Sequence, residues 1–138
     1  MSMRPIIRPP RVEPLLLDGL REAFPDVTFG TVSQTLAPPY SQCTLYASMQ
    51  QQSTPISMAC RLGLTVDIVR EDGTGDWQQA SETCSQILSW ILEHAPERST
   101  FLSASYESGP IRQPIDRHLG AYAVILLDVL AVRTNQNL

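Results

Sequence analysis

The stretch Tyr122–Arg133, "YAVILLDVLAVR", constrains this chain more than any other. Apart from Asp128 it is apolar at every position up to Val132. Successive strand side chains point to opposite faces, so a run without polar alternation belongs inside a sheet, with neighbours on both sides. The chain must therefore supply partner strands. Met58–Arg70, "MACRLGLTVDIVR", is one: Leu62, Leu64, Val66 and Ile68 alternate with Gly63, Thr65, Asp67 and Val69. That pattern predicts a strand with one well-buried face. Cys43–Met49 reads as its hairpin partner, joined through a polar turn at Gln50–Ser57, "QQQSTPIS". Thr100–Glu107 reads as a further strand, and Asp26–Val32 as a short one.

Two helices accompany these strands. In Pro14–Phe24, Leu16, Leu17, Leu20, Ala23 and Phe24 share one face, with proline at the start and Pro25 just beyond the end. In the second, Asp76 or Trp77 to His94, Trp77, Ala80, Cys84, Ile87, Leu88 and Ile91 form the apolar stripe. Asp76 and Gln79 have capping-box spacing. Ser33–Gln42, with Pro38, Pro39 and Tyr40, reads as a long exposed loop, and residues 1–12 as an extended arm rich in Pro and Arg. The expected order is α-β-β-β-α-β-β. It describes a single α+β domain of residues 1–138, a mostly antiparallel sheet of four to five strands packed by two helices.

Composition narrows the function classes. Charged residues make up only 17% of the 138 and the net charge is −4, which argues against a nucleic-acid grip built on clustered cations. A surface short of charge suits a protein that buries part of it against partners. Cys43, Cys60 and Cys84 are odd in number and widely spaced, so free thiols in a reducing compartment are expected, with neither zinc site nor disulfide framework. No apolar run reaches the ~18–20 residues of a membrane helix, and the N-terminal stretch lacks a signal-peptide core.

No phosphate-cradling, nucleophile-elbow or zinc-protease motif is present. The glycines of "EDGTGDW" precede a helix, yet Glu71, Asp72 and Asp76 would repel a phosphate, so the segment reads as a turn. Cys84 falls on the second helix's apolar stripe, and Cys43 and Cys60 fall in strands, where a thiol is ordinary packing. Asp128 inside an apolar strand calls for an arginine partner, Arg61 or Arg112. Asp67 reads as solvated or arginine-paired, His94 as a helix C-terminal partner, and His118 as solvated in the polar connection Ser105–Val124. No catalytic, cofactor or metal residues are assigned. Tyr40, behind two prolines, is read equally as an exposed contact or as loop packing.

Four segments in order, "VEPLLLDGLREAFPDV", "APPY", "RLGLTVDIVRED" with the helix "DWQQASETCSQILSWIL", and "SGPIRQPIDRHLGAYAV", resemble the small tail terminator proteins of long-tailed bacteriophages and prophages. The resemblance runs from about Val12 to Arg133 and rests on order and spacing. Two departures stand out: Ala121 precedes Tyr122 where the pattern has an Arg, and "REDGTGDW" replaces a shorter acidic link. The resemblance implies a non-enzymatic virion protein, assembled in the host cytoplasm, with no cofactor and no membrane. It would form a ring, commonly a homohexamer, that caps the major tail tube protein, stops polymerisation and offers a surface to the head's connector or stopper protein. DNA would pass through its channel without specific binding. Pro38, Pro39, Tyr40, Arg112, Asp116 and Arg117 are the interface candidates. Another head–tail joining protein, a neck or completion protein, is the alternative, and a small-molecule enzyme or binding domain a lower one.

Overall fold

The computed structural model describes residues 5–8, 11–97, 100–115, 118–130 and 132–135. In chain order the elements are β1 (Pro5–Arg8), α1 (Glu13–Ala23), β2 (Thr28–Gly30), β3 (Tyr40–Thr54), β4 (Ser57–Val69), α2 (Trp77–His94), a 3₁₀ turn (Ala95–Glu97), β5 (Phe101–Ile115), β6 (His118–Leu130) and β7 (Val132–Asn135). Five strands form one sheet in the order β2-β3-β4-β6-β5. Only the β2–β3 pair is parallel. The result is a small α+β domain whose sheet is mixed. β1 and β7 pair antiparallel in a separate two-stranded ribbon.

β6 lies between β4 and β5, the interior place its apolar run demands. Ala121, Ala123, Ile125, Leu127 and Val129 face a core shared with Leu62, Leu64 and Val66 of β4 and with Cys43 and Leu45 of β3. Leu16 and Leu20 of α1 and Ala80, Cys84, Ile87 and Ile91 of α2 close the same cluster from one side. Each large aliphatic buried there contributes about 1.5–3 kcal/mol. Both helices therefore cover one face of the sheet, and among the described residues the other face carries no helix.

α1 begins one residue before the expected Pro14 and ends at Ala23, with the Phe24 N–H closing on the Leu20 carbonyl at 2.8 Å. Only half of the expected capping box at α2 forms. The Asp76 carboxyl accepts from Gln79 N–H at 3.2 Å, but the Gln79 amide turns to the Thr83 hydroxyl. Asp76 N–H already donates to the Ile68 carbonyl, so no orphan donor is left for Gln79.

Three expectations are corrected. The turn at Gln50–Ser57 is strand: β3 runs to Thr54 and β4 starts at Ser57, leaving Pro55 and Ile56 as the reversal. The glutamines have no alternation to announce a strand; the neighbouring strand β4 imposes the pairing, with register shifts after Met49 and Gln52 absorbing the misfit. The connection Ser105–Val124 is likewise mostly ladder, since β5 reaches Ile115 and β6 starts at His118. Gly109 and Pro110 stand together opposite Ala123, and pairing resumes at Ile111–Tyr122. Prolines are tolerated there because β5 is an edge strand, whose outward N–H has no ladder partner to lose. Finally, Val12 is fully buried in the core, and Pro5–Arg8 is a paired strand. The 1–12 arm therefore ends short of Val12.

Gly109 has φ +96°, and a Cβ there would lie 2.4 Å from the Tyr122 carbonyl oxygen. Gly73 has φ +86° with open space around it. Gly109→Ala should therefore cost more than ~3 kcal/mol of unfolding free energy, and Gly73→Ala only ~1 kcal/mol. Denaturant titration of the two variants checks the difference, and equal losses would refute the bulge geometry.

Candidate functional site

The helix-free face of the sheet carries the groups that sequence reasoning left scattered. Asp67 sits on β4 and is nearly fully buried, 5% exposed. A buried carboxyl needs donors for both oxygens, and it has them from two distant segments. The Tyr40 hydroxyl, at the start of β3, donates to Oδ2 at 2.9 Å. His118, at the start of β6, places Nε2 2.5 Å from Oδ1, with the Nε2–H tautomer donating. Gly75 makes room for this arrangement, because a Cβ there would come within 2.6 Å of His118 Cβ.

The preceding loop is tied in beside them. The Gln42 side chain bonds the Gln34 backbone twice, accepting from its N–H at 3.2 Å and donating to its carbonyl at 3.1 Å. Ser33, Gln34, Tyr40, Gln42, Asp67 and His118 line a cleft of about 390 Å³. Asp67 and His118 were expected to be solvated or paired with arginine. Instead they hold each other, and Tyr40 turns its hydroxyl inward to join them. A histidine oriented by a carboxyl can shuttle a proton or fix a loop. The Tyr40 bond to the same carboxyl ties the loop carrying exposed Pro38 and Pro39 to the β5–β6 hairpin.

Further along the same face, Thr44, Tyr46, Ser48, Arg61, Gly63 and Tyr122 border a concavity of about 220 Å³. The Tyr122 ring lies over Gly63, its hydroxyl 3.2 Å from where a Cβ would be. Arg61 pairs with Glu107 across β6, its Nε donating at 3.1 Å to the Glu107 carboxyl. Tyr46, Ile111 and Leu126 stand exposed around it.

Of the interface candidates, Tyr40 joins the cluster, while Arg112 lies apart with its guanidinium carbon 5.3 Å from the centroid of the Trp77 ring. Asp116 and Arg117 lie outside the described residues. Neither arginine named for Asp128 pairs with it: Arg61 is held by Glu107, and Arg112 lies over Trp77. Among the described residues, Asp128 Oδ1 is buried without a hydrogen-bond partner. His94 donates its Nδ1–H to the Trp90 carbonyl, 2.8 Å away, and stacks on the Trp90 ring.

Sequence reasoning missed the Tyr40–Asp67–His118 cluster because its members are separated by 27 and 51 residues. The usable signal was Asp67 itself, a single acid on the weaker face of an otherwise apolar strand.

The segment "EDGTG" uses its own donors. Gly73 N–H bonds the Arg70 carbonyl at 2.9 Å, and Thr74 N–H bonds the Asp72 carboxyl at 3.0 Å. Asp72 is held below the usual carboxylate range by these Thr74 bonds, its hydroxyl first. No group of three or more His, Cys, Asp or Glu residues that could hold a metal occurs among the described residues. Among those residues no helix is long and apolar enough to cross a membrane. Comparison with known protein families, with curated proteins and with solved structures returns no match.

All three cysteines are buried and free. Burial pushes the Cys84 thiol up to about 12 and Cys60 up to about 11, the latter helped by Glu13, and it raises Cys43 further. These thiols are poor nucleophiles at neutral pH.

Two predictions follow from this geometry. Tyr40→Phe should cost ~1 kcal/mol, the worth of one hydrogen bond, and Asp67→Ala ~2 kcal/mol, because it strands two partly buried donors. Amide exchange should then quicken in Ile111–Ile115 and His118–Tyr122 before it does in α2, and uniform quickening would contradict the tie. The thiols give a pH signature. The fold keeps them protonated, whereas the unfolded chain ionises near the ordinary value of 9.0. The stability this contributes is complete below pH 9 and falls as pH rises from about 9 towards 12. Denaturant midpoints at pH 8 and pH 10.5 should differ in that direction, and a thiol-labelling reagent should react only after unfolding.

Proposed function

We propose that the chain is a phage virion structural protein, not an enzyme: the subunit of a tail terminator ring. The observation that carries this reading, beyond the ordered segments that resemble the family, is the sheet with helices on one face only. Its open face bears Tyr46, Ile111 and Leu126 exposed around an arginine–glutamate pair. Tyrosine and arginine among small hydroxyl residues is the composition of surfaces that bind protein. A subunit that meets its neighbour through different patches on each side forms a ring when the rotation closes. In that ring, a homohexamer by the family resemblance, one side caps the tail tube protein and the other meets the connector.

The remaining parts take roles in the same picture. Pro38 and Pro39 form a rigid exposed loop held from behind by Tyr40. Arg112 is exposed on the edge strand, where it can reach a neighbouring subunit. The weak net charge of −4 leaves little to retard DNA in a channel. The second reading, another head–tail joining protein, shares the same open face. The lower one, a small-molecule site, is favoured only by the Asp67–His118 pair beside its cleft.

The test is assembly. Purified protein should form rings, visible by electron microscopy, when concentrated or mixed with tail tubes. Tails assembled without it should be overlong or uncapped, and Tyr46→Arg should abolish rings while shifting the unfolding free energy by less than ~0.5 kcal/mol. Normal tail length in its absence would sink the terminator reading.

A further inference from the structure

We infer that the β1–β7 ribbon is an exchange joint, in which β1 of one copy pairs with β7 of the next. This rests on the self-assembly just proposed and names the contact that links the copies. β1 and β7 pair from Pro5–Asn135 to Arg8–Val132, four residues each, and join no strand of the five-stranded sheet. A two-stranded ribbon is at best marginally stable alone in water and needs a third strand or a packed face. The domain's anchor points on either side of it are Val12 and Val129, both fully buried. The core described above is built from residues between Val12 and Val129.

The ribbon's strands are also suited to exchange. β1 joins the domain ahead of Val12 and β7 behind Leu130. The sequence joining β1 to Val12 is Pro9-Pro10-Arg11, and consecutive prolines favour extension over reversal. Ile6, Ile7, Val132 and Thr134 are β-branched, suited to strand pairing whichever chain supplies the partner. The same four pairs can form within one chain or between two without a change of register, the low-cost route by which identical copies swap an element. Each copy then gives one strand and receives one. That contact is head-to-tail, and it closes into a ring or runs on as a filament.

Ile6 and Thr134 are register partners, which makes the exchange directly testable. The full chain is made as two single variants, Ile6→Cys and Thr134→Cys, mixed under mild oxidation at a concentration where the wild type sediments as an oligomer. The native thiols are buried, so they serve as a silent background. The expected result is a disulfide-linked heterodimer from the mixture, at least tenfold above either variant alone. In parallel, deletion of residues 1–8 should leave the circular dichroism and the unfolding midpoint of the core in place while the particle sediments as a monomer. If the mixture gives no cross-link although the protein is oligomeric, or the deletion variant still assembles, the exchange is overturned and the ring reading survives. If the wild type stays monomeric at every concentration and on tail tubes, both are overturned.

Discussion

The pairing of β4 with β6 is the constraint on which the rest of this structure depends. Its ladder runs from Ser57–Leu130 to Val66–Ala121, and on its inner face sets Leu62 against Ile125 and Leu64 against Ala123. All four of these side chains are fully buried. Because side chains alternate, a one-residue slip would turn this set outward and bring Arg61, Gly63 and Thr65 under the helices. The register therefore has no near competitor. α2 packs on the middle of this pair, α1 on its β3 flank, and each hairpin extends from it by adding residues whose own preference for strand is weak.

What the pair cannot do by itself is hold the far end of the β5–β6 hairpin. There the ladder contains a two-residue bulge at Gly109 and Pro110, and the strand tip carries another proline at 114. The Asp67 carboxyl compensates by binding the first residue of β6 and the first residue of β3 at once. One buried acid thus joins three strands and the loop that precedes them. A surface salt bridge could not substitute, since such pairs are worth ~0–1 kcal/mol and yield to salt. Burial is what makes this tie strong, and it leaves the acid dependent on having both partners.

Long periodic segments were legible in the sequence, and the reason is visible in particular residues. The stripe from Ala80 to Ile91 and the alternation from Leu62 to Ile68 report burial directly, and each of those residues is in the core. The interior placement of β6 followed from its lack of polar alternation. What was not legible was pairing imposed from outside. Gln50–Thr54 and Ser108–Ile115 look like turns because glutamine, serine, glycine and proline carry no period, yet adjacent strands recruit them. The polar cluster escaped for a related reason: Tyr40 read as a contact or loop packing, Asp67 as solvated or arginine-paired and His118 as solvated, and only the sheet order brings them together. Asp128 was recognised as anomalous from its apolar surroundings, but the arginines named for it are engaged elsewhere.

The way the sheet protects itself bears on how copies could meet. Edge strands invite further pairing unless something blunts them. β5 is blunted by its register shifts and by Pro110 and Pro114, which remove outward donors. β3 is covered over Gln42–Thr44 by β2, and next along it the Glu13 carboxyl accepts the Ala47 N–H at 3.5 Å. Part of each edge is thus guarded, whereas the helix-free face exposes Tyr46, Ile111 and Leu126 around a charge pair, Arg61 with Glu107, that is mutually neutralised. If copies associate as proposed, such a face favours contact through side chains over extension of the sheet. In the exchange inferred above, main-chain pairing between copies falls to the β1–β7 ribbon, which stands outside the five-stranded sheet.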